Sequence, residues 1–190
     1  MPLEIEIKLK LDHLAPVRDR LKAVGAKHVG ERIETNSFFD TPDRALLAQD
    51  CGLRIRRQHD IQSKREKIII TYKGPRGESE IKSREEIEII VDDLNAASEL
   101  LSRLGFGQML SFEKRRETWT IDTGTVELDT LPQLGHYVEI ECPTQVDVIR
   151  IRETLGLNEI PVVPTTYADI VARHLSDQGS HQTSLTFTGQ

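Results

Sequence analysis

The sequence predicts an α+β fold whose sheet has one charged and one apolar face. Charged and apolar residues alternate in short runs along the chain, first in Glu4-Ile5-Glu6-Ile7-Lys8, and such alternation is typical of strands with two unlike faces. Between these runs, apolar residues recur at helical spacing, as in residues 12–25 and 92–105. The 190-residue chain is 37% hydrophobic, which is sufficient for one domain with an ordinary core.

The first half of the chain divides into elements at clear start and stop signals. A strand is predicted over residues 2–10, and a helix follows with Asp12 as its N-cap and Gly25 after its last turn. The next strand, near 30–40, ends at the turn signal Asp40-Thr41-Pro42-Asp43. Three more strands and two polar loops are predicted, the strands near 52–58, 66–73 and 81–91 and the loops at 59–65 and 74–79.

The second half begins with Asp92 and Asp93, which predict the N-cap of a long helix that ends at Gly105. The remaining elements follow from the same patterns, with strands near 108–121, 124–131 and 136–142 and helices near 145–156 and 166–176. Residues 1–176 are predicted to form a single domain. Residues 177–190 are rich in serine, threonine, glutamine and glycine and are predicted to form a disordered tail.

The charged residues of the predicted strands fall on one face of the sheet. Glu4 and Glu6 are predicted to lie about 7 Å apart along that face, close enough to hold one divalent cation or two neighbouring ones. Lys8, one step further, is placed to bind an anion that the metal brings. The complete set has eight bases, Lys8, Arg54, Arg56, Lys73, Lys82, Arg84, Lys114 and Arg116, and eight acids, Glu4, Glu6, Glu86, Glu88, Glu127, Asp129, Glu139 and Glu141.

Two arrangements are compatible with such a sheet. It is either an open sheet packed on helices, with its charges in water, or a closed barrel whose apolar face lies outward and whose charged face lines the lumen. Charges crowded into a lumen are costly unless they are paired, bound to metal or matched by a charged ligand. Because Mg²⁺ and Mn²⁺ prefer carboxylate oxygens and arginine binds phosphate with two hydrogen bonds, the barrel predicts a metal–polyphosphate site.

Composition excludes several other classes of protein. The formal net charge of −6 argues against a general nucleic-acid binder, which usually presents a basic surface. No apolar run approaches membrane-spanning length and no signal peptide is recognisable, so a cytoplasmic protein without membrane contact is expected. Cys51 and Cys142 lie far apart without metal-type spacing and are predicted to be small buried residues. The sequence carries no prediction of an oligomeric state.

The charged motifs occur in a recognisable order along residues 2–172. They are Glu4-x-Glu6-x-Lys8, Phe38-Phe39-Asp40-Thr41-Pro42, Leu53-Arg54-Ile55-Arg56, Thr71-Tyr72-Lys73-Gly74-Pro75, Arg84-x-Glu86-x-Glu88, Glu113-Lys114-Arg115-Arg116, Glu127-Leu128-Asp129, Val138-Glu139-Ile140-Glu141 and Thr166-Tyr167-Ala168-Asp169. In this order they resemble the CYTH superfamily, also called triphosphate tunnel metalloenzymes, which contains class IV adenylyl cyclases and thiamine triphosphatases. The chain departs from the family pattern at Thr166, where serine is frequent, and in the loop 59–65.

The resemblance implies an eight-stranded antiparallel tunnel barrel that binds a triphosphate through Mg²⁺ or Mn²⁺. It implies catalytic roles for Glu4, Glu6 and Lys8, with Glu4 and Glu6 holding a metal that activates water or orients the nucleophile. The acids that hold the phosphate-bridging metal are implied to be Asp129, Glu139 and Glu141. The triphosphate-binding bases are implied to be Lys8, Arg54, Arg56, Lys73, Arg84, Lys114 and Arg116. Supporting roles fall to Glu86, Glu88, Glu127 and Tyr167, of which Glu86 and Glu88 either orient bases or add a metal ligand.

Hydrolysis of a triphosphate is the predicted activity, with tripolyphosphate, a nucleoside triphosphate or thiamine triphosphate as the small-molecule partner. Hydrolysis requires only polyphosphate, metal and water, for which the motifs account. Two alternatives remain open: an adenylyl cyclase that converts ATP to cyclic AMP and pyrophosphate, and a barrel that binds polyphosphate without catalysis.

Overall fold

The structure is a computed structural model that describes residues 5–76, 84–179 and 182–187. The strands are β1 (Ile5–Leu11), β2 (Lys27–Asp40), β3 (Gly52–Asp60), β4 (Glu66–Arg76), β5 (Arg84–Val91), β6 (Gly107–Ile121), β7 (Gly124–Leu131), β8 (Gly135–Cys142) and β9 (Ser184–Leu185). The helices are α1 (Ala15–Ala23), α2 (Ala45–Ala48), α3 (Leu94–Arg103), α4 (Gln145–Thr154) and α5 (Tyr167–Asp177). The predicted α+β class is confirmed.

The eight long strands follow the hydrogen-bonded order β1-β8-β7-β6-β2-β3-β4-β5. The pairs β1–β8, β8–β7, β7–β6, β3–β4 and β4–β5 are all antiparallel, as expected. Strands β1 and β5 are the two ends of this order, so hydrogen bonds between the described residues do not close the sheet. Closure into a barrel therefore stays a prediction. None of the described helices is both long enough and apolar enough to cross a membrane.

The chain divides into two compact units. The first unit contains residues 1–32 and 114–166, and the second contains residues 33–113 and 167–190. Composition gave no signal of this division, because β2 and β6 continue through both boundaries without a break in their strand pattern.

The core of the first unit lies between its strands and two helices. Alternate residues of β1, β7 and β8 face this core, so Leu9, Val126, Leu128, Val138 and Ile140 are almost completely buried. The helices α1 and α4 and their cap residues cover them with residues spaced three or four apart, namely the N-cap Leu14 with Val17 and Leu21 of α1, and Val148 and Ile151 of α4 with the C-cap Leu155. Since successive strand residues alternate, the intervening charged residues project from the opposite face.

The second unit repeats this plan with α3 on its apolar face. Ala97 and Leu101 of α3 pack with Phe39, Ile55 and Ile68 from the strands. Asp93 caps the helix as predicted, because its carboxylate accepts the N–H groups of residues 95 and 96. In both units, the prediction of an apolar sheet face beneath helices is confirmed.

The first helix begins later than predicted. Its N-cap is Leu14 rather than Asp12, and no side chain caps it. Pro16 in the first turn accounts for the shift, because proline fits the start of a helix, where its missing N–H is not needed.

Part of the segment predicted as a disordered tail lies in the sheet. β9 pairs in parallel with Ser111 and Phe112 of β6, and its Leu185 is only 3% exposed. The backbone N–H of Phe187 donates to the Glu113 carboxylate at 2.9 Å. The polar composition of residues 177–190 concealed this attachment, to which Leu185 contributes a buried apolar side chain.

The short helix α2 depends on Asp40, which closes β2. The Asp40 carboxylate accepts backbone N–H groups from Thr41 at 2.7 Å, Leu46 at 2.9 Å and Leu47 at 3.1 Å. Burial alone would raise the pKa of Asp40, but these donors outweigh it and lower the pKa below its usual value. A carboxyl group with a lowered pKa stabilises the folded state above its unfolded-state pKa, and this contribution is lost as the pH falls through the folded-state pKa.

We expect Asp40→Asn to lower the free energy of unfolding by about 1–2 kcal/mol at pH 7. The difference from the wild type should shrink as the pH falls through the folded-state pKa of Asp40, because the wild-type carboxyl is then also neutral. Urea unfolding at a series of pH values measures both effects. Asp43→Asn, an exposed change in the same turn, is the control and should stay within about 0.5 kcal/mol of the wild type. A deficit for Asp40→Asn that is equal at all pH values would contradict the assignment.

Candidate functional site

The charged side chains of the first unit share the face opposite its core. In the strand register, Lys8 of β1 lies opposite Glu139 of β8, and Glu139 lies opposite Glu127 of β7. One step along, Glu6 lies opposite Glu141. The predicted same-face acids and bases of this unit are therefore neighbours on adjacent strands.

Arg116 is the centre of this group. Its Nε atom donates to Asp129 Oδ1 at 2.7 Å, and its terminal nitrogens form ion pairs with Glu127, Asp129 and Glu139. Although burial opposes its charge, Asp129 and then the two glutamates raise the pKa of Arg116 well above its usual value. Lys114 adds a second cation on Asp129, with 3.2 Å between Nζ and Oδ2. Asp129, predicted as a metal ligand, is thus bound by two bases here.

Lys8 is held by two acceptors. Its Nζ atom lies 3.2 Å from Glu139 Oε1 and donates to the carbonyl oxygen of Thr165 at 3.2 Å. The segment before Thr165 runs along β1, since the N–H of Val163 donates to the Lys8 carbonyl at 2.7 Å. These contacts fix the Lys8 ammonium beside the acids of β8.

Glu6 and Glu139 form a pair of interacting carboxylates. Part of the Glu6 side chain is exposed, but its carboxyl is largely surrounded by protein, and this desolvation together with the charge of Glu139 raises the pKa of Glu6 to about 7. Burial likewise opposes the charge of Glu139, but Arg116 and Lys114 outweigh it and lower the pKa of that group. Two adjacent carboxylates of this kind match the oxygen donors that a divalent cation prefers.

The match to a metal site is confined to this pair. Across residues 5–76, 84–179 and 182–187, no group of three or more His, Cys, Asp or Glu residues is placed to hold a metal ion. Glu4, the other ligand predicted from the N-terminal motif, lies outside the described residues, and Glu141 is half-buried opposite Glu6.

In the second unit, an acceptor from a neighbouring strand holds each of three predicted bases, Arg54, Arg56 and Lys73. Arg54 donates to the Thr71 hydroxyl at 3.1 Å, and that hydroxyl donates to Glu88 at 2.9 Å. Lys73 donates to Glu86. These contacts favour the first of the two roles left open for Glu86 and Glu88, the orientation of bases. We use the name base wall for the three bases Arg54, Arg56 and Lys73 together with the residues that bind them, which are Glu34, Asn36, Thr71, Glu86 and Glu88.

The third base, Arg56, is bound by two residues that the motifs did not predict. Its Nε atom donates to Asn36 Oδ1 at 2.8 Å and lies 3.5 Å from Glu34 Oε2. Glu34 is 0% exposed and Asn36 is 1% exposed. Gln58 adds a hydrogen bond to Glu34 at 3.2 Å. The sequence signal that could have identified Glu34 and Asn36 was their spacing of two residues on β2, which places both side chains on one face of the strand.

Two buried donors of the base wall have no hydrogen-bond acceptor within the described part of the chain: Arg54 Nε and Asn36 Nδ2. Burial, and then the like charge of Arg56, lower the pKa of Arg54 to about 10. Buried donors of this kind are costly unless an acceptor arrives. The base wall is therefore suited to an anionic ligand.

An apolar pair lies at one end of the base wall. Ile69 of β4 stands opposite Arg56 of β3 and opposite Ile90 of β5. By strand alternation, Ile90 shares a face with Glu86 and Glu88, and it is 65% exposed. The charged face of this unit therefore ends in a surface that is able to contact an apolar group.

Three predicted residues remain to be placed, and one of them, Lys82, lies outside the described residues. Arg84 is the first residue of β5, and its side chain lies outside what the structure describes. Tyr167 is buried at the start of α5 in the second unit.

Known proteins are similar to this chain in sequence and in fold. The CYTH domain family matches residues 2–159. A putative adenylate cyclase of Methanocaldococcus jannaschii is 30% identical over 139 residues, which span 73% of this chain and 76% of the relative. The adenylate cyclase CyaB of Aeromonas hydrophila is 30% identical over 147 residues, which span 77% of this chain and 72% of the relative.

A solved structure from Pyrococcus horikoshii OT3 has the same fold. It superposes with a TM-score of 0.76 at 24% identity, covering 90% of this chain and 99% of the other. The family match over most of the chain, the two relatives and the charged strand motifs agree, and the chain therefore belongs to the CYTH domain family.

Proposed function

We propose that this protein hydrolyses a triphosphate in a reaction that depends on Mg²⁺ or Mn²⁺. The closed eight-stranded tunnel barrel that the family resemblance implies is part of this proposal. The observation that carries it is the base wall, whose cations are held in place while Arg54 Nε lacks an acceptor among the described residues. Such an arrangement supports binding of a ligand that brings several anionic oxygens.

The acids and bases of the first unit support the second half of the proposal. Five acids, Glu6, Glu127, Asp129, Glu139 and Glu141, share one strand face with three bases, Lys8, Lys114 and Arg116. This excess of negative charge favours a cation, and Glu6 and Glu139 offer it oxygen donors. A divalent metal bound there supplies charge neutralisation on phosphate oxygens and a polarised water.

The protein side chains have separate tasks in this reaction. Lys8, Lys114 and Arg116 in the first unit, and Arg54, Arg56, Lys73 and Arg84 in the second, bind phosphate oxygens and neutralise charge that develops on them. Glu4 and Glu6 position the attacking water, and Asp129, Glu139 and Glu141 would provide the other carboxylate ligands for the metal. Glu86, Glu88 and Glu127 keep the bases oriented. Water attacks the terminal phosphorus, the bond from that phosphorus to the bridging oxygen breaks, and the products are orthophosphate and the diphosphate that is displaced.

A second candidate is the adenylyl cyclase reaction, in which the ribose 3′-hydroxyl of ATP attacks the α-phosphorus and pyrophosphate leaves. Two observations favour it. The two relatives described above carry adenylate cyclase names, and the Ile69–Ile90 pair offers an apolar contact for the nucleobase of ATP. Hydrolysis remains our first proposal because cyclisation additionally requires the nucleoside to be held with its 3′-hydroxyl in line with the α-phosphorus.

Product analysis by ³¹P NMR tests these proposals. The purified protein is incubated with Mg²⁺ or Mn²⁺ and, separately, with tripolyphosphate, ATP and thiamine triphosphate. We expect orthophosphate from at least one substrate, no turnover after EDTA treatment, and recovery when the metal is restored in excess. ATP or thiamine triphosphate should be preferred to tripolyphosphate if the Ile69–Ile90 pair contacts substrate. Cyclic AMP with pyrophosphate would instead establish the cyclase, and binding without any product would leave a non-catalytic polyphosphate-binding protein.

A further inference from the structure

Asn36 has a buried donor that its known contact does not use. Its Oδ1 atom accepts the Arg56 Nε–H at 2.8 Å, whereas Nδ2 of the same amide is buried and has no hydrogen-bond partner within residues 5–76, 84–179 and 182–187. Rotating the amide by 180° does not help, because Arg56 Nε is itself a donor and requires an oxygen. The Arg56 contact therefore fixes the orientation of the amide, and Nδ2 cannot exchange places with Oδ1.

The position of this donor indicates what it awaits. Because Oδ1 and Nδ2 belong to one planar amide, Nδ2 is adjacent to the guanidinium of Arg56. The same wall holds a second orphaned donor, Arg54 Nε, and Arg54 feels the charges of both Arg56 and Glu34. A buried donor beside the guanidinium of Arg56 suits an anionic oxygen better than a neutral acceptor.

We propose that Asn36 donates an N–H from Nδ2 to a phosphate oxygen of the bound triphosphate, beside Arg56. This inference rests on the proposed function and adds to the site a neutral residue that the charged motifs do not include. Glu34 has a different part: it is buried, binds Gln58 and pairs with Arg56, and so positions the base rather than the ligand.

One substitution removes the Nδ2 donor while keeping the Arg56 contact. Asn36→Asp keeps the size of the side chain and keeps an oxygen for Arg56 Nε, now with a charge that strengthens the contact. If Asn36 only holds Arg56, the variant keeps that contact and weakens binding only through its added charge, and the wild-type Asn36 amide gains no acceptor when the ligand binds. If Nδ2 donates to phosphate, the variant loses a donor and places a carboxylate against an anion.

The test is calorimetric titration of the full chain with tripolyphosphate at pH 8, with EDTA present so that metal-dependent turnover does not interfere. We expect Asn36→Asp to weaken binding by at least about tenfold, the scale of a lost hydrogen bond to a charged group. Asn95→Asp makes the same change of charge at an exposed position of α3 and should bind as the wild type does. Unchanged or tighter binding by Asn36→Asp would overturn the proposal.

A second measurement uses only the wild-type protein and so does not depend on folding of the variant. Asn36, Asn95 and Asn158 are the only asparagines in the sequence, so ¹⁵N-asparagine labelling gives three side-chain amide pairs. Adding tripolyphosphate should shift one Asn36 N–H proton downfield as it gains a charged acceptor, while the pairs of Asn95 and Asn158 stay in place. An Asn36 pair that does not move at saturating ligand would contradict the proposal.

Failure of this inference is distinguishable from failure of the proposed function. Wild-type protein that binds none of tripolyphosphate, ATP and thiamine triphosphate, either with EDTA or with Mg²⁺ or Mn²⁺ added, would remove the function and this inference together. Wild-type protein that binds, with equal affinity in Asn36→Asp and no shift of the Asn36 amide, would remove only the role of Asn36.

Discussion

Replacing Glu6 with glutamine is expected to lower turnover of the preferred triphosphate by about 100-fold or more, the scale expected when a metal site loses a ligand or catalytic charge. Within the described residues, the carboxylates of Glu6 and Glu139 form the pair that is suited to bind a divalent cation. Glutamine keeps the size of Glu6 but removes the charge that the metal requires. Substrate binding should persist, because the phosphate-binding bases are unchanged.

Initial rates at saturating metal, together with calorimetric affinity for the same triphosphate, separate these two effects. Glu153→Gln, on the exposed side of α4 in the same unit, makes the same chemical change and should leave both values unaltered. Full turnover in Glu6→Gln would remove Glu6 from the reaction, whereas lost binding together with lost turnover would place it among the substrate contacts.

Replacing Arg116 with methionine is expected to lower the free energy of unfolding by about 3–5 kcal/mol at pH 7, the usual cost of leaving buried charges without their partner. Arg116 is 6% exposed and neutralises Glu127, Asp129 and Glu139. Without it these carboxylates lose a shared counter-charge, so the deficit should shrink as the pH falls and the acids take up protons. Chemical denaturation at pH 7 and pH 4, with EDTA present, measures the change.

Arg150→Met is the matched control for this prediction. Arg150 also pairs with two carboxylates, Asp122 and Asp147, but it is exposed, and exposed ion pairs contribute little to stability. Its loss should be far smaller and should not depend strongly on pH. Equal losses in the two variants would mean that the Arg116 cluster is not the desolvated network that the structure describes.

The charged side of the sheet was predictable because strand alternation has a period of two. Glu6, Lys8, Arg116 and Glu139 follow directly from it, since one face of each strand must be buried beneath a helix. The alternation does not report which acid binds which base. That depends on strand register, which is why the Arg116 contacts could not be foreseen.

Asn36 escaped prediction for a different reason. Charge was the signal by which site residues were found, and an amide has none. Glu34 escaped because it stands outside the runs in which charge alternates clearly with apolar residues, and Thr71 was given no role because, although it begins one of the motifs, it carries no charge. Leu185 shows the same limit for the fold, since a single leucine in a polar segment gives no periodicity to detect.

Arg54, Arg56 and Lys73 already have acceptors of their own, and we therefore expect the base wall to distinguish anions by the number of charges they carry. A singly charged anion that enters the base wall gains little, because it competes with Glu34, Glu86 and Glu88 for cations that are already neutralised. A polyanion gains contacts with several of these cations at once and so outcompetes the internal acids. Orthophosphate, once released, is too weakly charged to do so, and the carboxylates that hold the bases also favour departure of the product.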